Sequence, residues 1–267
     1  MRGHKGAEPG DKAITTRLVP QLVFDSGAIK DLSELNASID IDSYRLLYLI
    51  WGNHQRYSFQ NKDMGYLELT YVRNGGKVSA RVSKVLVTHD NLNQSVEAEL
   101  ELLDDGLLTP LSYEYTSRIT DNALCERPEL CLERKGRIEG SRVIEEIKGV
   151  EYVRNFTGTL LFDFSIYDLA MRSVEERDFI YFENLYAMKT GNRLDKSDRR
   201  SYVEGICLDM MIHRGTALTE RRFYKNTNGV PVMMIQNSAA YILDSGARER
   251  VERLKSELNS GGFHYEY

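Results

Sequence analysis

From Gly65 to Ile119 apolar and polar residues alternate along stretches of strand length, and turn residues separate the stretches. GYLELTYVR (65–73) ends at NGGK, where Asn74, Gly75 and Gly76 tolerate the positive φ of a tight hairpin. KVSARVSKVLVTH (77–89) then sets Val78, Ala80 and Val82 against Lys77, Ser79 and Arg81. SVEAELELL (95–103) sets Val96, Ala98, Leu100 and Leu102 against Glu97, Glu99 and Glu101. A period of two requires extended backbone with one face buried, and short turns require antiparallel neighbours. This stretch therefore cannot be helical.

The alternation slips once. Lys84 falls where an apolar residue is due, and Val85 and Val87 take over; one extra residue there, a β-bulge, would restore the apolar face and bend the strand. YRLLYLIWG (44–52) reads as the first strand, and in LLTPLSYEYTSRI (107–119) Leu111, Tyr113 and Tyr115 share a face while Pro110 favours a strand start or an edge. Residues 1–40 carry Pro9, Gly10, Pro20 and Gly27 among polar residues and read as a loosely ordered arm, leaving 41–267 as a single β-rich domain.

LERKGRIEG, SRVIEEIKG and VEYVRNF continue the extended pattern. FDFSIYDLAMRSV (162–174) breaks it: Ile166, Leu169 and Ala170 recur at helical spacing, with Asp163 or Ser165 as the cap. FIYFENLYAM (179–188) fits either a strand or a turn-rich connection, and TGNRLDKSDRR reads as a polar loop. SYVEGICLDMMIHRG, TALTERRFYKN and VPVMMIQNSAAYIL are further strands, with a hairpin turn at Asn228-Gly229. In DSGARERVERLKSELNSGG, Ala247, Val251, Leu254 and Leu258 form one helical stripe. The expectation is a mainly β fold: a strongly bent antiparallel sheet or incomplete β-barrel of nine to eleven strands, with a short internal helix near 163–174 and a C-terminal helix near 245–259.

Carboxylates two residues apart on a strand stand roughly 6.5–7 Å apart, near the separation used by inverting glycosidases. Glu97, Glu99 and Glu101 therefore merit weighing as an acid/base set. A row of like charges opposite an unbroken apolar face is the wet side of a strand, with Lys77 and Arg81 as cross-strand partners, and it lacks the desolvation a catalytic acid needs. The five histidines, His4, His54, His89, His213 and His264, form no HxH or HxxxH and read as surface or loop residues. Cys125, Cys131 and Cys207 form no CxxC, so neither a metal site nor a cofactor is expected; whether Cys125 and Cys131 pair stays open. Asp104-Asp105-Gly106 reads as a turn in preference to a calcium loop, and Arg199-Arg200 and Arg221-Arg222 as surface ion-pair partners in preference to an anion site.

A net charge of −5 with scattered Lys and Arg offers no footprint for a phosphate backbone, so nucleic acid is not an expected partner. No apolar run approaches the length of a membrane helix, and integral membrane association is not expected. MRGHKGAEPGDKAITTRLVP lacks a signal-peptide h-region, which points to a soluble cytoplasmic protein, or a periplasmic one if the native chain starts upstream.

Sixteen tyrosines, nine phenylalanines and eight methionines accompany this sheet, and methionine adapts its shape to apolar surfaces. Tyr113, Tyr115, Met188, Met210 and Met233 are the candidate lining of a groove for a lipid-like or other apolar ligand, the alternative being a closed core. The order of FDFSIYDLAM, ENLYAMKTGNRL and FYKNTNGVPVMMIQNSAAYIL resembles bacterial domain-of-unknown-function families whose fold is similar to the Lol-type lipoprotein carriers. The resemblance spans roughly residues 44–250 and implies a bent half-barrel around a short helical element, with a concave side that receives acyl chains in the carriers. It brings no catalytic signature. The resulting expectation is a non-enzymatic binding protein holding an apolar ligand or a partner segment in the concave face. The alternatives are a carboxylate-dependent, carbohydrate-active hydrolase and a scaffold that self-associates through an edge strand.

Overall fold

The alternating stretches become one continuous ladder. A computed structural model describes residues 18–52, 61–87, 92–121, 130–216 and 218–259. The strands are β1 (Ser43–Gly52), β2 (Lys62–Asn74), β3 (Lys77–Val87), β4 (Leu92–Leu103), β5 (Pro110–Asp121), β6 (Leu132–Glu139), β7 (Arg142–Ile147) and β8 (Val150–Asn155). They are followed by β9 (Leu160–Phe162), β10 (Glu176–Glu183), β11 (Ala187–Val203), β12 (Ile206–Gly215), β13 (Leu218–Lys225), β14 (Pro231–Gln236) and β15 (Ala239–Leu243). The helices are α1 (Pro20–Asp25), α2 (Ser165–Met171) and α3 (Ala247–Asn259).

All fifteen strands belong to one sheet, in the order β8-β7-β6-β5-β4-β3-β2-β1-β15-β14-β13-β12-β11-β10-β9. This exceeds the nine to eleven expected from sequence: β9 is an additional strand, VPVMMIQNSAAYIL divides into β14 and β15, and TGNRLDKSDRR is not a loop. It lies within the seventeen-residue β11, held between β10 and β12 by ladder hydrogen bonds that its own polar residues do not announce. FIYFENLYAM resolves into the end of β10, a turn and the start of β11. Every neighbouring pair is antiparallel except β9 and β10, which run parallel across the α2 connection. The NGGK turn joins β2 to β3 with Gly75 at φ +59° and Gly76 at φ +78°, which only glycine adopts without strain.

The sheet curls around α2. Its β9–β10 end arrives against β5: Tyr113 meets Phe162 edge-on at 5.5 Å and Phe182 at 5.8 Å. Opposite Tyr113, on β6, stands Gly136, where an added Cβ would lie 2.2 Å from the tyrosine ring. That glycine lets the ring fold inward. The β6–β8 flap continues past this seam, with Arg154 over the Phe182 ring and donating to the Tyr186 carbonyl at 2.5 Å. Side chains, and no backbone ladder among the described residues, bridge this seam, so the sheet is strongly bent and not closed. The curvature comes from register shifts, for instance at Ile50/Trp51, Glu101/Leu102 and Ser197/Ser201. β3 contributes none. Lys84 keeps perfect register with Leu67 on one side and Val96 on the other, so the bulge expected there is absent and Lys84 points to the inner face.

Both faces of the sheet are partly covered. The inner face holds α2, whose seven residues are all buried. Such a short helix is unstable alone and persists through its packing. On the outer face α3 lies over β1 and β2, burying Leu47, Leu49 and Trp51 beneath Ala247, Val251 and Leu254. Arg248 on its margin bonds Glu68 at 2.7 Å, and Arg250 bonds Asp63 at 2.8 Å. Residues 18–40 carry α1 and a 3-10 turn at Leu32–Asn36 and lie over the outer face of β11–β14. Their Leu18, Val23 and Leu35 are buried; Arg222 donates to the Leu18 carbonyl, and Asn226 donates to the carbonyls of Leu35 and Ala37. The LVPQLVF patch supplies the apolar anchor of this segment.

Candidate functional site

The glutamate row stands on the outer face. Glu97, Glu99 and Glu101 are exposed, opposite Ser83, Arg81 and Ser79. Arg81 approaches Glu99 at 3.3 Å and Lys77 approaches Glu101 at 3.7 Å, while Ser83 donates to Glu97 at 2.8 Å. The carboxylates that do meet the desolvation condition are inside, Asp163 just before α2 and Asp168 within it.

In the first turn of α2 sits Asp168, fully buried. It accepts from the Tyr44 hydroxyl, from Arg73 Nη2 at 2.5 Å and from Arg172 Nε at 2.5 Å. Arg73 also reaches Asp104 at 3.3 Å. Tyr71 stacks on Tyr44 at 4.8 Å and donates to the Phe164 carbonyl at 2.5 Å. Burial first, and then the neighbouring Tyr71 and Asp168, push the Tyr44 hydroxyl far above its ordinary range, so it remains a proton donor to the carboxylate. Arg73 and the Tyr44 phenol thus tie the helix to β2 and β1, while Arg172, at the C-cap of α2, closes the cluster from the helix itself.

Just before the helix, Asp163 does not cap α2, as its position in the sequence suggested; Phe164 takes the cap position without a side-chain bond, and Ser165 Oγ donates to the Phe162 carbonyl. Asp163 instead accepts from the Tyr181 hydroxyl, from Arg221 Nη1 at 2.7 Å and from the Asn184 backbone N–H at 3.0 Å. The last bond pins the β10–β11 turn, in which Asn184 and Leu185 both take positive φ, a costly conformation for leucine. Burial raises the Asp163 carboxyl, but the Arg221 charge and the bonds from Tyr181, Arg221 and Asn184 outweigh it and hold the group below its ordinary value. Arg221 also donates from Nε to Gln236 at 3.1 Å and lies over the Tyr181 ring at 5.1 Å.

This arrangement corrects two readings from sequence. Arg221 and Arg222 are buried, not surface partners: Arg221 serves the inner cluster, and Arg222 faces outward to Glu220 and Leu18. Arg200, by contrast, is exposed and pairs with Asp209 at 3.0 Å. His213 is no surface residue either. It is 1% exposed, stacked on Phe179 at 5.5 Å and edge-on to Tyr181 at 4.7 Å. Burial, reinforced by the nearby Arg221, pushes it down to about 3, and its Nε2 has no hydrogen-bond partner among the described residues. His4, His54, His89, His264 and Cys125 lie outside the described residues.

Beside the Asp163 cluster a cavity of about 530 Å³ opens between α2 and the inner face. Leu67, Leu86, Phe164, Tyr167, Met234 and Tyr241 give it an apolar wall. Asp163, Arg221, Lys84 and Glu183 bring charge to it, and the turns at Asn184 and at Asn237–Ser238 frame it. Lys84 was visible in the sequence as the break in alternation; Asp163 stood out only as a cap candidate and Arg221 only as one of an arginine pair read as surface ion-pair partners, because their actual partners come from three separate elements.

The five aromatic and methionine candidates are not brought together. Tyr113 is buried at the β5 seam, donating to Glu145, which Arg154 also pairs. Tyr115 is buried two residues along the same inner row, and Met188 is half-buried opposite Phe182. Met210 and Met233 flank Tyr224 in one row across β12–β14. The adjacent row, Met211, Phe223 and Met234, is the inner one, since Phe223 meets Tyr167 of α2 at 5.2 Å. Met210 and Met233 therefore face away from α2, and Met234 is the methionine that lines the cavity.

Asp105 holds its own turn, accepting from the backbone of Leu107 and Thr109 at 3.0 Å each. Among the described residues no three or more His, Cys, Asp or Glu side chains are placed to share a metal ion. No helix among them is long and apolar enough to cross a membrane. No family model and no curated protein matches the chain. Among solved structures it is similar to a β-barrel-like protein of domain of unknown function DUF1849 from Brucella abortus, at TM-score 0.49 and 7% identity, covering 77% of this chain and 96% of that one.

Proposed function

We propose that this protein is a non-enzymatic binding protein that holds an apolar ligand in the cavity between α2 and the inner face of the bent sheet. The observation that carries the reading is the cavity itself. About 530 Å³ lies within the usual range for small-molecule sites, roughly 300–1,000 Å³. Its wall of Leu67, Leu86, Phe164, Met234 and Tyr241 is the surface an acyl or aromatic group would cover. The resemblance to domain-of-unknown-function families whose fold is similar to carriers that receive acyl chains on a concave face points the same way. The inner carboxylates are engaged by arginine and tyrosine partners, which suits a scaffold more than proton transfer.

The test is recovery of a ligand. Solvent extraction of the purified protein followed by mass spectrometry should yield a hydrophobic molecule in stoichiometric amount, and the stripped protein should take up a fluorescent fatty acid. Leu86→Trp fills the apolar wall and should reduce uptake while leaving the thermal midpoint within a few degrees. A protein that carries nothing and takes up nothing ends the proposal.

A further inference from the structure

Three buried inner-face carboxylates are each held by arginine and tyrosine partners. Asp168 has Arg73, Arg172 and Tyr44; Asp163 has Arg221, Tyr181 and the Asn184 N–H; Glu145 has Arg154 and Tyr113. Among the described residues Arg134, buried opposite Tyr115 and over the Tyr186 ring, is one inner-face cation without a carboxylate, and Lys84 is the one that faces the cavity. It is half-buried, it stands in the inner row where Val78, Ala80 and Val82 precede it, and its ammonium has no hydrogen bond or ion pair among the described residues. The carboxylates that share its cavity are already engaged: Asp163 by Arg221 at 2.7 Å, and Glu183 more loosely by Lys189 at 3.9 Å. Arg221, which also lines the cavity, spends Nε on Gln236 and Nη1 on Asp163 and Tyr181, and its Nη2 makes no hydrogen bond among the described residues.

The cavity therefore offers one uncompensated ammonium and a spare guanidinium N–H beside an apolar wall. Lys84 covers part of the inner face with its aliphatic stem and brings its ammonium to the cavity, where a leucine or methionine would bring no charge. Resting on the apolar-ligand reading above, we propose that the ligand is an amphiphile with an anionic head, a carboxylate or a phosphate monoester. The head pairs with Lys84 Nζ, with Arg221 Nη2 as a second donor, and the chain lies along Leu67, Leu86 and Met234. A charge-assisted pair of this kind typically contributes enough to shift affinity by about tenfold or more.

The experiment compares heads on one chain. Dodecanoate, dodecyl phosphate and dodecanol are titrated calorimetrically, below their aggregation limits, into the wild type, Lys84→Met and Lys84→Arg. In the wild type at least one anionic probe should bind about tenfold more tightly than dodecanol. The preferred probe tells carboxylate from phosphate. Lys84→Met should bind dodecanol as the wild type does and lose the preference, while Lys84→Arg should retain it; thermal melts establish that each variant is folded. Equal binding of all three probes by the wild type overturns the anionic-head proposal while leaving the apolar cavity reading intact. A preference that survives Lys84→Met overturns the role of Lys84. Failure of every probe to bind the wild type removes the apolar reading itself.

Discussion

The two ends of the α2 segment, Asp163 before the helix and the cluster of Asp168 with Arg172 at the C-cap, use the same chemistry for different purposes. Each has a buried aspartate that accepts from a tyrosine on the sheet and from arginine. At Asp168 two arginines converge, Tyr71 and Tyr44 stack alongside, and the cluster serves to bind the helix to β1 and β2. At Asp163 a single arginine serves, one of its donors is left over, and the cluster forms part of a cavity wall with Lys84. A buried ion pair is a weak indicator of function by itself. What separates a staple from a site here is the cavity: only the Asp163 cluster lines one, beside Lys84, and leftover donors do not decide it, since Arg172 Nη2 at Asp168 is buried without a partner among the described residues.

That comparison is breakable. Asp168→Ala strands two guanidinium groups and a phenol, and should cost about 3–5 kcal/mol in chemical denaturation, with ligand uptake per folded molecule unchanged. Asp163→Ala strands Arg221 and frees the Asn184 turn, with a similar or slightly smaller loss, but here uptake should change as well. If both variants, or neither, alter uptake, the functional distinction between the two ends fails.

A middle-sized effect belongs to pH and to the Asp163 end alone. His213 is held below its ordinary value, so the unfolded chain takes up the proton first, and stability contributed by the neutral ring is lost as pH falls from about 6.5 toward about 3. The loss between pH 7 and pH 5 should be about 2 kcal/mol, and His213→Phe should flatten that part of the profile. The depressed carboxyl of Asp163 acts in the same direction at lower pH, its contribution being present above the ordinary carboxylate value and lost as pH falls through the folded one. An unchanged slope in His213→Phe would contradict the burial of a neutral imidazole. The smallest effect is on the outer face. Glu99→Ala should change stability by less than about 0.5 kcal/mol and leave uptake alone; loss of uptake there would reopen the glutamate row as a site.

How much was legible follows from periodicity. The hairpins of β2–β4, the glutamates on the wet face and the α3 stripe were readable because one face of each is solvated, so polarity reports orientation. β11 was not readable, since its polar residues are strand only by virtue of both neighbours. The methionines misled for a related reason. Met210-Met211 and Met233-Met234 place one member on each face, and with both faces buried nothing in the sequence says which is inner. Lys84 carried the clearest signal of the cavity, and the register shows it to be a regular strand residue and not the mark of a bulge.

The sequence by itself determined that this chain is a bent, mainly antiparallel sheet with a helix inside and a helix at its C-terminal end, because alternation and turn chemistry are local properties. Only the tertiary structure decided which face α2 occupies, that residues 18–40 cover the opposite one, and that Asp163, Tyr181 and Arg221 meet beside Lys84. Those juxtapositions join residues far apart along the chain, and the desolvation that gives them their chemistry exists only once the sheet has curled.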